Sequence, residues 1–214
     1  MSEDTTKQPT PDAGTTSGKR GPYAKGVQRR RQIIDEVLTV YDTLGAEGTS
    51  LRAIARAIGV SHSVLVHYFG SREDLFLEVL AEQDERHRAL FREGDSFVEQ
   101  LARGADFSTS VPGLMALLNN MVARALETGN DRSRAHFSAR YARLRAEFVP
   151  ILAAGQRAGT VRADLPVEEV ASLILAAADG LTTQWLLDRS VDFKAGLLLL
   201  ARLLEPPPAS GSQR

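Results

Sequence analysis

Apolar residues recur at helical spacing along most of this chain, and the pattern predicts helices almost from end to end. The first stripe spans residues 28–45 and ends at the stop signal Gly45. It consists of Ile33, Ile34, Val37, Leu38, Tyr41 and Leu44. Further helices are predicted from Ser71 to about Phe91 and at 111–128, 133–158, 166–188 and 193–204. The fold class predicted is therefore all-α.

Two of these segments contain residues that disturb a simple helix. Gly104 and the Ser-Thr-Ser run that follows it suggest that residues 95–110 form a short helix and then a loop. Pro150 lies inside the helix predicted at 133–158 and should kink that helix or split it in two.

Residues 50–75 predict two short helices separated by a turn, followed by the start of a longer helix capped by Ser71. Gly59 can take a positive φ at the turn, and Ser61 can cap the helix after it. Two helices that cross steeply around a short Gly-containing turn can place the second helix in a DNA major groove. An ordinary helical hairpin is the alternative for this stretch taken alone.

The charge distribution favours the DNA-binding interpretation. The net charge is −1, yet residues 19–72 carry nine Lys or Arg against four Asp or Glu, and the rest of the chain is net acidic. A basic third joined to an acidic remainder suits a DNA-binding module attached to a module that does not bind DNA.

The stretch before the first helix is predicted to be a flexible basic arm that follows phosphates or enters the minor groove. Gly and Pro residues argue against a helix there, and the basic residues are Lys19, Arg20 and Lys25. A generic solubilising tail is the alternative.

Composition argues against several other classes of protein. The 214 residues include no Cys, so disulfides, thiolate metal sites and thiol nucleophiles are excluded. The four His show no metal-ligand spacing, and no phosphate-binding loop, dinucleotide fingerprint or nucleophile elbow is present. No cofactor or metal is therefore predicted, and a helical enzyme is the unfavoured alternative. Asp179, a lone carboxylate in an apolar helix, is expected to face a dimer seam or a partner helix.

Localisation and assembly follow from the apolar segments. The longest uninterrupted apolar runs, Leu173–Ala178 and Leu197–Ala201, are far too short to span a membrane, so a cytoplasmic protein is expected. The last two helices carry more apolar surface than one small bundle needs, and small residues at 176–178 allow close crossing. A homodimer through residues 166–205 is therefore predicted, with closure of the monomer core as the alternative.

Residues 28–80 resemble the TetR family of bacterial transcriptional regulators, in the first-helix stripe, the Gly-Thr-Ser entry, the Ala-Ile-Gly-Val-Ser turn and the Tyr-Phe-Gly-Ser-Arg-Glu-Asp-Leu exit. The rest of the chain resembles the family only in being helical and of suitable length. The resemblance implies a nucleoid-associated, Ω-shaped homodimer that binds a palindromic operator, usually as a repressor. It also implies release by a small molecule in a cavity beside the linking helix.

The implied organisation has four parts. They are a flexible extension with the basic arm at 1–26, a helix-turn-helix domain at 27–72, a helical ligand-binding and dimerisation domain at 73–205, and a disordered tail at 206–214.

The resemblance also implies which residues meet DNA. On the family pattern His62, Ser63, Val66 and His67 face the bases, Ser61 lies near the phosphates, and Arg52 reaches a base edge or phosphate. Thr49, Ser50, Tyr68 and Arg72 fall where the family grips phosphate.

Val66 is a departure from that pattern, because the family usually has a Tyr whose hydroxyl meets phosphate. Val66 can instead contact a thymine methyl group. Phosphate contacts position a protein on DNA, so the missing hydroxyl makes compensation by the basic arm a reasonable hypothesis.

Polar and aromatic side chains among the apolar helices are candidates for the effector cavity, predicted to be mainly apolar with a few polar anchors. These candidates are Phe91, Asn119, Asn120, Arg124, His136, Phe137, Tyr141 and Trp185, with His87, Arg140 and Gln184 considered beside them. Asn119, Tyr141 and Trp185 are favoured. A constitutive or architectural DNA-binding protein that answers to a protein partner remains an alternative.

Overall fold

The computed structural model describes residues 22–92 and 94–207, with side chains described from Gly26 onward. The described residues form nine helices and no strand, so the all-α prediction is confirmed. The helices are α1 (Pro22–Gly48), α2 (Leu51–Ala57), α3 (His62–Phe69), α4 (Arg72–Arg88), α5 (Phe97–Ser110), α6 (Leu114–Ala125), α7 (Asp131–Ala158), α8 (Val167–Leu187) and α9 (Phe193–Leu203).

The first helix begins earlier than the sequence pattern predicted. It starts at Pro22 and runs through Gly26. Proline suits the first turn of a helix, where its missing N–H has no intrahelical partner. Gly45 ends the regular part of α1, with φ of 68° and ψ of −178°, and a short helical turn follows it to Gly48. The expectation that no helix precedes residue 28 was therefore wrong.

Helix α5 is continuous, and the predicted loop at its end is wrong. Thr109 and Ser110 donate their hydroxyl hydrogens to the carbonyls of Ala105 and Phe107, at 3.0 and 2.9 Å, so these polar residues are satisfied within the helix. Gly104 is tolerated because the His87 ring lies against it: a Cβ there would be 2.5 Å from His87 Nε2. The glycine is needed for packing and does not interrupt the helix.

The start of α6 is corrected, and of the two alternatives predicted at Pro150 the split is excluded. Helix α6 begins at Leu114, after Gly113 with φ of 72°. Gly113 is pressed against α1, where a Cβ would lie 2.6 Å from the carbonyl oxygen of Leu38. Helix α7 continues through Pro150 without splitting.

The main hydrophobic core joins the helix-turn-helix to the rest of the chain. Its buried residues come from α1–α4 and also from α6 and α7, including Leu117, Met121 and Phe137. A second core joins α5, α7, α8 and α9, around Leu152 and Ile174. Helices α1 to α4 therefore pack directly on α6 and α7 of the larger part.

Helix α8 keeps much of its apolar surface outside both cores. An 18-residue window within its 21 residues has a mean hydropathy of 1.4, yet only 22% of that window is buried. By length and composition alone the helix could cross a membrane, although core helices of other proteins have the same length and composition. Its outer face carries Leu173 and Leu187, which are 63% and 84% exposed.

Candidate nucleic-acid interface and ligand cavity

Helix α3 presents one exposed face to the surroundings. Leu65 and Phe69 are buried in the main core and hold the helix in place. The opposite side exposes all four residues predicted to read the bases, which are His62, Ser63, Val66 and His67. The structure brings these side chains together on a convex helix face of the kind that enters a major groove.

Serine side chains cap the helices around the turn; the caps at Ser61 and Ser71 were predicted, whereas the sequence left Thr49 and Ser50 as alternatives for α2. Ser50 Oγ accepts from the N–H of Ala53 at 3.2 Å, and Ser61 Oγ accepts from the N–H of Val64 at 3.3 Å. Ser71 caps α4 in the same way. Gly59 has φ of 67° at the turn between α2 and α3. Ser50 and Ser61 stay exposed beside the face of α3, where a phosphate can reach them.

Thr49 and Arg72 point into the protein, away from the surface where the family pattern placed them. Thr49 is completely buried, and its hydroxyl donates to the carbonyls of Gly45 and Ala46 at 2.9 and 3.0 Å. Arg72 donates to the Ala46 carbonyl and to Thr49 Oγ1, and its guanidinium lies over the Phe76 ring. In this structure both residues hold the start of α4 against the end of α1.

The other predicted DNA contacts have mixed positions. Arg52 is exposed on α2, whereas Tyr68 is half-buried and its hydroxyl approaches Gly26 of α1. The N-terminal turns of α1 therefore lie beside the end of α3. Lys19 and Arg20 lie outside the described residues, as does the Lys25 side chain.

A cavity of about 150 Å³ lies in the larger part of the protein, with walls from α4 to α9. Since one water needs roughly 10–15 Å³ on this measure, the cavity has room for a small organic molecule. Its wall is mainly apolar, with aromatic rings from Phe91, Phe107, Phe148 and Phe193. Gln83, Asp84 and His87 of α4 lie in the wall. The helix that follows α3 in the chain therefore reaches the cavity.

Two pairs of polar side chains stand in the cavity wall. Arg140 donates two hydrogen bonds of 2.9 Å to Asp84, and both side chains are only 12% exposed. Tyr141 donates its hydroxyl hydrogen to Asp179 Oδ2 at 2.5 Å. Burial raises the pKa of Asp179 and, together with the Asp179 hydrogen bond, raises the pKa of Tyr141 well above its ordinary value.

His87 is a neutral, largely aromatic part of the wall. Its ring stacks on Phe107 at 5.6 Å between centroids and meets Phe91 edge-on at 5.0 Å. Burial lowers the pKa of His87, because the charged imidazolium would lose its hydration.

Of the eight predicted effector contacts, Phe91 and Tyr141 line this cavity, and six lie elsewhere. Asn119 donates to Thr183 at 2.8 Å and ties α6 to α8. Trp185 packs beside the small core of α5, α6 and α9 with Arg189 over its ring.

The remaining four belong to the main core or to surface clefts. Phe137 is buried in the main core. Asn120 and Arg124 line a small cleft with Arg72, and His136 lines another with Arg132. Of the residues considered beside the eight, His87 and Arg140 line the cavity, whereas Gln184 does not.

Several polar residues of the wall were not predicted from the sequence. Gln83, Gln100 and Thr182 are buried at 4%, 8% and 7% exposure. No sequence signal separates these residues from surface ones, because helical spacing does not say which neighbour covers a polar position. Asp179 did carry a signal as a lone carboxylate in an apolar helix, and it faces a partner helix through Tyr141.

Comparison with known proteins places the chain in a family. Residues 33–79 match the family model for bacterial regulatory proteins of the TetR family. Residues 112–206 match the model for the C-terminal part of BetI-type transcriptional repressors. The chain is 30% identical over 156 residues, covering 72% of this chain and 80% of its relative, to the HTH-type transcriptional repressor Rv1474c of Mycobacterium tuberculosis.

Solved structures share the fold. A TetR-family regulator from Rhodococcus sp. matches 83% of this chain and 98% of its own, with 22% identity and a TM-score of 0.69. A transcriptional regulator from Saccharomonospora viridis was solved in complex with choline. It matches 83% of this chain and 95% of its own, with 21% identity and a TM-score of 0.66. At such identities these two structures support the fold alone.

This chain belongs to the TetR family of bacterial transcriptional regulators, as its two family models and its mycobacterial relative establish. It is accordingly a DNA-binding transcription regulator and not an enzyme.

Proposed function

We propose that this regulator is a ligand-responsive repressor that binds a palindromic operator as a homodimer. In this proposal it is released when a mainly apolar small molecule occupies the cavity, and in the cell it is associated with the nucleoid. The observation that carries the proposal is helix α4, which begins two residues after Gly70, the C-cap of the recognition helix α3, and ends in the cavity wall.

The linkage between α4 and the DNA-binding helices supports transmission of a ligand signal. Arg30 pairs with Glu78 and Arg86 pairs with Asp35, so α1 is tied to α4 along its length. A tilt of α4 would therefore carry the helix-turn-helix with it. Because two half-sites lie a fixed distance apart on DNA, a change in the separation of two recognition helices is enough to release an operator.

The proposed dimer uses the outer faces of α8 and α9. Leu173, Gly180 and Leu187 lie on one exposed stripe of α8, and Leu199 and Leu203 are 51% and 65% exposed on α9. Exposed apolar patches of this kind mark interaction surfaces. A self-complementary pair of helices from each chain forms a four-helix interface with two-fold symmetry.

Mapping of genomic binding sites, followed by binding of the purified protein to the recovered sequence, tests the proposal most directly. We expect a palindromic site upstream of a small number of genes, and release of the DNA by a compound that raises the melting temperature. If a broad compound screen produced neither effect, the constitutive regulator controlled by a protein partner would be favoured.

The basic arm supplies a more specific prediction. Replacing Lys19, Arg20 and Lys25 with Gln should weaken operator binding and flatten its salt dependence, by a slope of about 0.9 for each phosphate that is no longer neutralised. Fluorescence anisotropy across a salt series measures both quantities. Arg92, Arg145 and Arg157, all exposed in the larger part and outside the proposed dimer interface, provide the matched triple substitution as control. An unchanged salt slope in the arm variant would refute the arm's role.

A further inference from the structure

Asp179 is a carboxylate in the cavity wall without a matching positive charge. Its Oδ2 accepts one hydrogen bond from Tyr141, and within the described residues no Lys, Arg or His lies at ion-pair distance from it. A buried charge is costly unless it is paired. The raised pKa of Asp179, caused first by burial, reflects that cost.

The other charges around the cavity are already paired with one another. Arg140, the nearest guanidinium in the wall, is bound by Asp84, which also accepts from Arg143 at 2.6 Å. Carboxylates and guanidinium groups continue to alternate outward from Arg143, through Glu147, Arg88 and Glu85. This network is balanced in charge. The positive charge of Arg140 lowers the pKa of Asp179, but the hydrogen bonds of Arg140 go to Asp84. The cavity wall therefore holds two carboxylates, Asp84 and Asp179, against one guanidinium, and Asp179 has no ion-pair partner of its own among the described residues. His87 is kept neutral by the burial that lowers its pKa.

Aromatic rings provide the remaining part of the argument. Phe91, Phe107, Phe148 and Phe193 line the same cavity as Asp179. The face of an aromatic ring attracts a cation, and the attraction is stronger where water is excluded. A cavity with one unmatched carboxylate and several aromatic rings is therefore suited to a positively charged guest with an apolar body.

We infer that the effector of this regulator is an organic ammonium ion, whose positive charge lies against Asp179 and whose apolar part lies among the cavity phenylalanines. The inference rests on the proposed function, because it names the chemical class of ligand for the proposed effector cavity. Tyr141 is a positioning residue in this arrangement, since its hydrogen bond holds the carboxylate of Asp179.

Three probes with one cyclohexyl ring and different charge test the inference at pH 7.5. They are cyclohexylmethylammonium, neutral cyclohexylmethanol and anionic cyclohexanecarboxylate. Isothermal titration of the full chain should show the ammonium binding at least about tenfold more tightly than the alcohol, with the carboxylate weakest. In Asp179→Asn the advantage of the ammonium should fall to within about threefold, while affinity for the alcohol is retained.

Asp164→Asn is the matched control, because Asp164 is an exposed carboxylate in a loop and pairs with Arg162. It should keep the full preference for the ammonium. The comparison among the three probes in the unmodified protein decides the question even if Asp179→Asn folds poorly. Equal affinity for ammonium and alcohol, or binding of none of the three, would overturn the inference.

Failure of this inference is distinguishable from failure of the proposed function. Operator release is measured separately, with the DNA recovered by genomic mapping. Tight binding of the alcohol with release of the operator would refute the cationic effector and leave a ligand-responsive repressor. Binding of the ammonium without any operator release would support the ligand class and contradict the proposed switch.

Discussion

Individual side chains near the helix-turn-helix have roles that their sequence positions do not reveal. Thr49 and Arg72 were predicted to grip phosphate, yet here they bind the carbonyl of Ala46. The sequence pattern predicts where the backbone of a residue lies, but not which groups its side chain contacts. The direction that the side chain takes depends on unpaired carbonyls nearby, and the break at Gly45 leaves such carbonyls at the end of α1.

Thr49→Val tests this assignment at the residue scale. The substitution preserves shape but removes a buried hydroxyl with three hydrogen-bond partners. We expect the free energy of unfolding to fall by about 1–3 kcal/mol in urea denaturation, with operator affinity of the folded protein unchanged.

Thr43→Val is the matched control for that measurement. Thr43 is exposed, and its hydroxyl donates to the carbonyl of Thr39. Its replacement should change stability by no more than about 0.5 kcal/mol. Loss of operator affinity at unchanged stability in Thr49→Val would instead place the Thr49 hydroxyl against DNA phosphate.

Among the helices, α4 and α5 both line the cavity and pack closely against each other at His87 and Gly104. The ring of His87 on α4 lies so near α5 that only a glycine fits at position 104. The same ring is held by Phe91 and Phe107, so it has little freedom to move aside. Helix propensity alone marks Gly104 as a helix breaker, whereas the packing makes it a requirement.

Gly104→Ala should therefore destabilise the protein, although alanine is the better helix former by about 1 kcal/mol. Overpacking a contact of this kind costs about 1–3 kcal/mol, and thermal or urea unfolding measures the net change. Gly26→Ala in α1 makes the same exchange where the new Cβ meets Tyr68 Oη at an ordinary 3.9 Å. That variant should be as stable as the parent or more so. A stabilised Gly104→Ala would contradict the close contact.

For the whole molecule, the exposed apolar faces of α8 and α9 support the proposed homodimer. A single chain leaves Leu173 and Leu187 in water, although α8 is as long and apolar as a membrane-spanning helix. Because the chain belongs to a family of DNA-binding regulators, we expect a protein, and not a lipid bilayer, to bind this apolar face.

Replacing Leu173 and Leu187 together with Glu should produce a folded monomer, because two charges cannot be buried in a symmetric apolar interface. Sedimentation velocity measures the change, and operator affinity should fall at least about a hundredfold, since the two half-sites are no longer bound jointly. Leu126→Glu is the control, because Leu126 is 78% exposed at the end of α6, outside the proposed interface. A double variant that remains dimeric would exclude this interface.

Local signals in the sequence were sufficient for the helical class, the helix-turn-helix, the caps at Ser61 and Ser71 and the exposed face of α3. Those features depend on local spacing and on hydrogen bonds between residues close in the chain. Helix boundaries at Pro22 and Leu114 were missed because the signals there, proline and glycine, are compatible with either a helix start or a loop.

Packing between distant helices, by contrast, determines which residues form the cavity. Phe91 and Tyr141 line it, whereas Asn119, His136 and Trp185 lie elsewhere, although the sequence made all five candidates. Helical spacing predicts on which face of its own helix a residue lies. Whether that face borders the cavity, the core or solvent depends on how helices α4 to α9 pack together. The pairing of Arg140 with Asp84, which leaves Asp179 unmatched, joins residues 56 positions apart and arises from packing alone.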